Sequence, residues 1–133
     1  MHKVTVRDFM TKKLVKFSPE TGIYYAINEL VKHGISGAPV VDENNHCIGI
    51  LSEKDCLRVL ANGVFHGEAA GSVKDYMTDV VKTIESDIDI FSVADFFLKN
   101  HYRRLPVVEM GVLVGQISRR DVLRAVCQIS QTN

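Results

Sequence analysis

The chain lacks most of what would mark a catalyst, a secreted protein or a membrane anchor. Its three cysteines, Cys47, Cys56 and Cys127, form no Cys-x-x-Cys pair and leave an odd number for a disulfide framework. A reducing compartment is therefore expected. The opening MHKVTVRDFM has no signal-peptide apolar run, and no stretch approaches the roughly 20 apolar residues of a membrane helix. The expectation is a cytoplasmic protein with no membrane partner. The histidines, His2, His33, His46, His66 and His101, show no metal-ligand spacing. There is no Walker glycine loop, and no nucleophile, base and metal set is visible. No catalytic residue, metal or required cofactor is expected, and no enzyme activity. An excess of positive charge is missing too. Lys+Arg and Asp+Glu stand at 16 each, which argues against nucleic acid and leaves self-association unopposed by net repulsion.

What the chain does contain is a duplication. VRDFMT (6–11) matches VKDYMT (73–78), and GAPVVD (37–42) matches RLPVVE (104–109), both at an offset of 67. SEKDCLRVL (52–60) matches SRRDVLRAV (118–126) at 66, so one residue is lost in the turn between. Insertions belong in such turns. In the first copy Ile23, Ala26, Ile27, Leu30 and Val31 recur at helical spacing; Ile90, Val93, Ala94, Phe97 and Leu98 repeat it. Strands are expected over Ala38–Val41 and Cys47–Leu51, and over Leu105–Val108 and Val112–Ile117. A closing helix follows Ser52 and Ser118, and Leu14–Phe17 and Val81–Ile84 are candidate leading strands. Tyr24, Tyr25, Phe91, Phe96 and Phe97 fall in helical segments, in the core or at a dimer face.

The fold class implied is α+β: two βαββα repeats, 1–66 with the linker and 67–133. A single unit of this size buries little surface, so packing of the two through their sheets with pseudo-two-fold symmetry is expected. Asn62–Ser72, with three glycines, reads as the linker, with Val64 and Phe65 as tethers. The polar tail Gln128–Asn133 is expected to fray.

The ordered pattern V-x-D-[FY]-M-T, then P-V-V-[DE], then G-x-[LI]-S-x-x-D, written twice over residues 4 to 127, resembles a pair of cystathionine-β-synthase (CBS) domains, the Bateman module. The resemblance implies clefts for adenosine-containing ligands: AMP, ADP or ATP, S-adenosylmethionine, or NAD(H). It also implies a regulatory role, exerted on a separate protein by a module with no enzyme attached, and a homodimer formed through helices. The alternative is a protein-interaction or dimerisation module with degenerate clefts.

GILSEKD (49–55) and GQISRRD (115–121) carry the chemistry. Ser-x-x-Asp before an apolar run is first a capping box, with Ser52 or Ser118 at the helix start and Asp55 or Asp121 reaching back. The same geometry offers free N–H groups to a phosphate and a carboxylate to ribose hydroxyls. The resemblance assigns Asp55 and Asp121 to ribose and Ser52 and Ser118 to phosphate. One composite site is expected to join Ser52, Glu53, Lys54 and Asp55 to Asp79, Arg103 and Arg104. The other is expected to join Ser118, Arg119, Arg120 and Asp121 to Lys12, Ser36 and Gly37. Adenine is expected near Ile35, Ala38 and Ile50, or near Tyr102, Leu105 and Ile117. Arg103 and Arg104 suit phosphate oxygens; an arginine there equally serves as a solvated charge or as a partner for Glu29 or Glu109. Asp8 and Asp75 are read as caps or ion-pair partners of Arg7 and Lys74. On this reading the Asp55 cleft is the stronger candidate for a phosphate-bearing ligand.

Overall fold

The computed structural model describes residues 3–61, 71–79 and 82–131. In chain order the elements are α1 (Val6–Phe9), α2 (Ile23–His33), β1 (Gly37–Val41), β2 (Cys47–Ser52) and α3 (Glu53–Ala61). A 3-10 turn (Val73–Asp75) precedes β3 (Ile84–Glu85), α4 (Ile90–Lys99), β4 (Arg104–Glu109), β5 (Val112–Ser118) and α5 (Arg119–Gln131). Helices combined with two small sheets make the fold α+β. The linker reading, with Val64 and Phe65, falls mainly on 62–70, outside the described residues, as does Val81 of one candidate leading strand. The other leading segment is reduced to one parallel bridge, Phe17 to Val40. The polar tail is more ordered than expected: α5 runs to Gln131, because its buried face continues through Val122 and Ala125 to the half-buried Ile129.

Two compact units form. One is continuous, Val15–Val81; the other is split, Met1–Leu14 with Lys82–Asn133. These units cut the chain differently from the repeats at 1–66 and 67–133. The repeats record duplication; the units record packing.

Each unit is a hairpin covered by two helices. In the continuous unit β1 and β2 pair antiparallel, with Gly37 opposite Ser52 and Ala38 opposite Leu51. In the split unit β4 and β5 repeat that register, with Arg104 opposite Ser118 and Leu105 opposite Ile117, and β3 adds a parallel strand on β4. The missing residue lies in the turn. Asp42 Oδ1 accepts from the backbone N–H groups of Asn44 and His46, at 2.9 Å each, to close the longer loop. The shorter one turns through Met110 (φ 53°) and Gly111 (φ 84°), the left-handed pair that a two-residue hairpin needs.

The helices follow the apolar period, with one correction. Ile23, Ala26 and Leu30 of α2 and Ile90, Val93 and Phe97 of α4 are buried, but Val31 is 75% and Leu98 86% exposed. A residue at i+8 is rotated by about 80° from residue i, at the edge of the stripe. The continuous core gathers Phe17, Leu30, Val40, Leu51 and Val59, and the split core Phe97, Leu105, Val107, Ile117 and Ala125.

The leader motifs are exchanged. Thr11, from the first repeat, forms an antiparallel bridge with Gln116 of the second, with N···O distances of 2.8 and 2.9 Å. Thr78, from the second repeat, bridges Ile50 of the first at 3.0 and 2.9 Å. Val6 is fully buried in the split core, and Val73 in the continuous one. Asp8 and Asp75 are caps: each accepts at 2.9 Å from a backbone N–H three residues back, that of Thr5 or Ser72. The exchange also explains the first residue of each heptapeptide. A Cβ on Gly49 would stand 3.0 Å from the Thr78 carbonyl oxygen, and one on Gly115 would stand 2.9 Å from that of Thr11.

Candidate ligand-binding site

Both Ser-x-x-Asp segments are capping boxes. Ser52 N donates to Asp55 Oδ2 at 3.0 Å while Asp55 N donates to Ser52 Oγ at 3.1 Å. Ser118 and Asp121 repeat this at 2.9 and 3.1 Å. Both aspartates are buried, at 4% and 7% exposure. They differ on the second oxygen. Arg124 Nη2 donates to Asp121 Oδ1 at 2.7 Å, while Arg58 lies 3.8 Å from Asp55 Oδ1, outside hydrogen-bond range. A carboxylate oxygen carries two acceptor positions, so the caps do not exhaust either group.

In the split unit a cleft of about 410 Å³ opens over the α5 start. Ser118, Arg119, Arg120 and Asp121 form one side; Arg103, Arg104, Gln116 and Thr11 complete it. The volume suits a small organic ligand. Hairpin register places the arginines: Arg104 pairs with Ser118, and Arg119 N donates to the Arg103 carbonyl at 3.1 Å. Neither Arg103 nor Arg104 has an ion pair among the described residues, and Arg104 Nε is buried without a hydrogen-bond partner. Glu109, a candidate partner for them, is held instead by Arg7 at 2.9 Å and by Ser86 Oγ at 2.6 Å.

The continuous unit repeats the framework with different side chains. Gly37 pairs with Ser52, and Glu53 N donates to the Ser36 carbonyl at 2.8 Å. Lys54 is exposed on the first turn of α3, and Asp79 follows Thr78, the residue bridged to Ile50. The structure thus places Arg103 and Arg104 beside Ser118–Asp121, and Ser36 and Gly37 beside Ser52–Asp55, each pair with the helix start of its own repeat. Lys12, next to Thr11, belongs to the split unit. Of the residues expected near adenine, Ala38, Leu105 and Ile117 are core. Tyr102 stays 43% exposed while stacking on Phe96 at 5.8 Å. Thr11, Gln116 and Arg124 were missed. The repeat held a signal for two of them: Thr11 ends a duplicated motif, and Arg124 recurs as Arg58.

Cys56 lines a groove between α2 and α3. Burial pushes its thiol up, and the Asp55 and Glu53 carboxylates add to that, so it is a poor nucleophile.

The CBS domain family model matches residues 6–62 and 73–128. The chain belongs to the CBS domain family. A 17.7 kDa protein of Acidianus ambivalens is 30% identical over 93% of this CBS chain and 74% of its own length. The curated relatives include longer proteins, of which the chain spans as little as 14%. Among solved structures, CBSX2 in complex with AMP, a protein of Arabidopsis thaliana, superposes with a TM-score of 0.82 at 32% identity, covering 95% of this chain and 98% of that one. The CBS domain pair of protein MJ0100, in complex with 5′-methylthioadenosine and S-adenosyl-L-methionine, does so at 0.76 and 26%, covering 96% and 98%. No helix among the described residues of this CBS pair is long and apolar enough to cross a membrane.

Proposed function

We propose that this CBS pair is a regulatory module that binds an adenosine-containing ligand and passes the binding event to a separate protein. The observation that carries the reading is the arginine-lined cleft at Ser118–Asp121. The Arg103, Arg104 and Arg120 guanidiniums at the start of α5 would receive phosphate oxygens. The Asp121 carboxylate, fixed by its cap and by Arg124, would accept from ribose hydroxyls. CBSX2 with AMP and MJ0100 with two adenosine compounds support this choice of ligand class. An adenosine nucleotide (AMP, ADP or ATP) is favoured because the cleft is cationic. The role is binding rather than turnover, and the three free cysteines suit a reducing cytoplasm.

The test is calorimetric titration with AMP, ADP, ATP, S-adenosylmethionine and NAD(H). We expect saturable binding of at least one nucleotide, weakened by Arg103→Ala with an unchanged circular dichroism spectrum. No heat and no thermal shift with any of the five would refute the reading.

The module acts as a homodimer through its helices. The outer faces carry the same apolar set twice: Val31, Leu57 and Leu60 on α2 and α3, and Leu98, Leu123 and Val126 on α4 and α5, each at least half exposed. A face repeated in this way suits an isologous contact, in which the same patch serves both subunits. Light scattering should give twice the chain mass, reduced to one by Leu98→Lys with Leu123→Lys; a wild-type monomer at high concentration would overturn this. A dimer that binds no adenosine compound would favour the interaction-module alternative.

A further inference from the structure

The zero net charge of the chain conceals an opposition between its two duplicated helix-start sites. Arg103, Arg104, Arg119 and Arg120 line the Asp121 cleft, Arg124 pairs with Asp121, and Lys12 follows the lining Thr11 in the chain: six cations against the single carboxylate of Asp121. At the corresponding positions around Asp55 the chain places Asp79, Ser36, Gly37, Glu53, Lys54 and Arg58. That is two cations against three carboxylates once Asp55 is counted. The correspondence is structural as well as sequential. Arg104 opposite Ser118 repeats Gly37 opposite Ser52, and the Arg119 to Arg103 backbone bond repeats that from Glu53 to Ser36.

Little in the split unit neutralises this charge. Arg124 is engaged by Asp121 and the Phe9 carbonyl, and Arg119 Nε donates to the Tyr102 carbonyl at 3.0 Å. No ion pair to Arg103, Arg104, Arg119 or Arg120 occurs among the described residues. The buried Arg104 Nε has no acceptor at the cleft it lines. An orphan donor of that kind costs free energy unless an acceptor reaches it. Guanidiniums converging on one cleft with a single carboxylate among them also repel one another until an anion enters.

We infer that charge divides the two duplicated sites: the Asp121 cleft takes a nucleoside polyphosphate, and its Asp55 counterpart rejects one. The inference rests on the proposed adenosine reading and deepens it. Arg103, Arg104 and Arg120 offer more donors than one phosphate group uses, so each further phosphate finds a partner. Glu53 and Asp79 face the same anion with repulsion.

Calorimetry on the full chain with adenosine, AMP and ATP tests this. ATP should bind one site per chain, at least about tenfold more tightly than AMP, as one added charge-assisted hydrogen bond gives. The gap should narrow at high salt, which screens exposed charge. Arg103→Ser, which installs the residue of the other repeat, and separately Arg120→Ser, should each remove most of that preference. Glu53→Arg combined with Asp79→Lys should raise the ATP stoichiometry from one to two. Two equal ATP sites in the unmodified chain, or no preference of ATP over AMP, would overturn the division while leaving the adenosine reading intact. Failure of all three compounds to bind would overturn the division, and failure of ADP, S-adenosylmethionine and NAD(H) as well would overturn the adenosine reading.

Discussion

Gly115→Ala inserts one methyl group where the exchanged leader touches β5. The new Cβ would stand 2.7 Å from Met10 Sδ, 2.9 Å from the Thr11 carbonyl oxygen and 3.1 Å from Met10 Cγ. The sulfur sits on a flexible side chain and can swing away. The carbonyl cannot: Thr11 is tied to Gln116 by hydrogen bonds of 2.8 and 2.9 Å, and a shift that frees the methyl group stretches both. Overpacking of this kind costs about 1–3 kcal/mol. Weakening two backbone bonds costs about 1 kcal/mol more. Against these, replacing glycine by alanine gains about 0.4–1 kcal/mol by restricting the unfolded chain. The net expectation is a loss of about 2 kcal/mol, or about 6–10 °C in Tm for a chain of this size. Calorimetric unfolding of the two proteins measures it. The double-mutant cycle with Met10→Ala isolates the part due to the Met10 side chain, and the loss that persists in the Met10→Ala background is the carbonyl contact. Equal Tm for Gly115→Ala and the unmodified chain would refute the close-approach argument for the glycine of both heptapeptides.

Gly22→Asp should stabilise by a few tenths of a kcal/mol, since Gly22 caps α2 without a side chain, while Asp89, at nearly the same φ and ψ, caps α4 through Phe91 N at 2.7 Å. A drop in Tm would count against it, because a Cβ at Gly22 meets nothing within 4 Å. The Ser86 hydroxyl and then Arg7 hold the Glu109 carboxyl below its ordinary range. A depressed carboxylate contributes stability above its unfolded pKa, and that share disappears as pH falls through the folded pKa. Glu109→Gln should therefore flatten the acid limb of the stability curve, and an unchanged limb would remove Glu109 from the account. The exposed Cys127 should react with a thiol reagent before Cys47 and Cys56, whose thiols burial pushes up; mass spectrometry of the first adduct decides it.

Most of the secondary structure was readable because periodicity is local. Ile23, Ala26 and Leu30 mark a buried helical face whatever else the chain does, and Ser52 and Ser118 mark helix starts by capping alone. The exchange of leaders was readable only through the resemblance, which set Lys12 with Ser118–Asp121 and Asp79 with Ser52–Asp55. VRDFMT and VKDYMT are nearly the same segment, and Gly49 and Gly115 offer both of them the same flat approach. Nothing local says which copy docks on which hairpin. The cleft shared that fate. Asp55 and Asp121 could be named from spacing, but the position of Arg103 and Arg104 depended on hairpin register. Arg104 opposite Ser118 brings the arginines to the helix start that follows them in the chain. Thr11 enters the same cleft only through a bridge to a residue more than a hundred positions away.

That bridge bears on how the chain acquires its structure during synthesis. Val6, Arg7 and Thr11 leave the ribosome well before the surfaces that receive them, around Ser86, Glu109 and Gln116. Contacts of such long sequence separation form slowly, because the intervening loop must close before they contribute. The continuous unit, by contrast, holds both its helices, its hairpin and its own clamp at Val73–Thr78, and can assemble while the rest of the second repeat is still being synthesised. The segment from Val6 to Thr11 waits through that whole interval with its apolar side, Val6 and Phe9, uncovered. It is made early and is among the last parts of the pair to find its place.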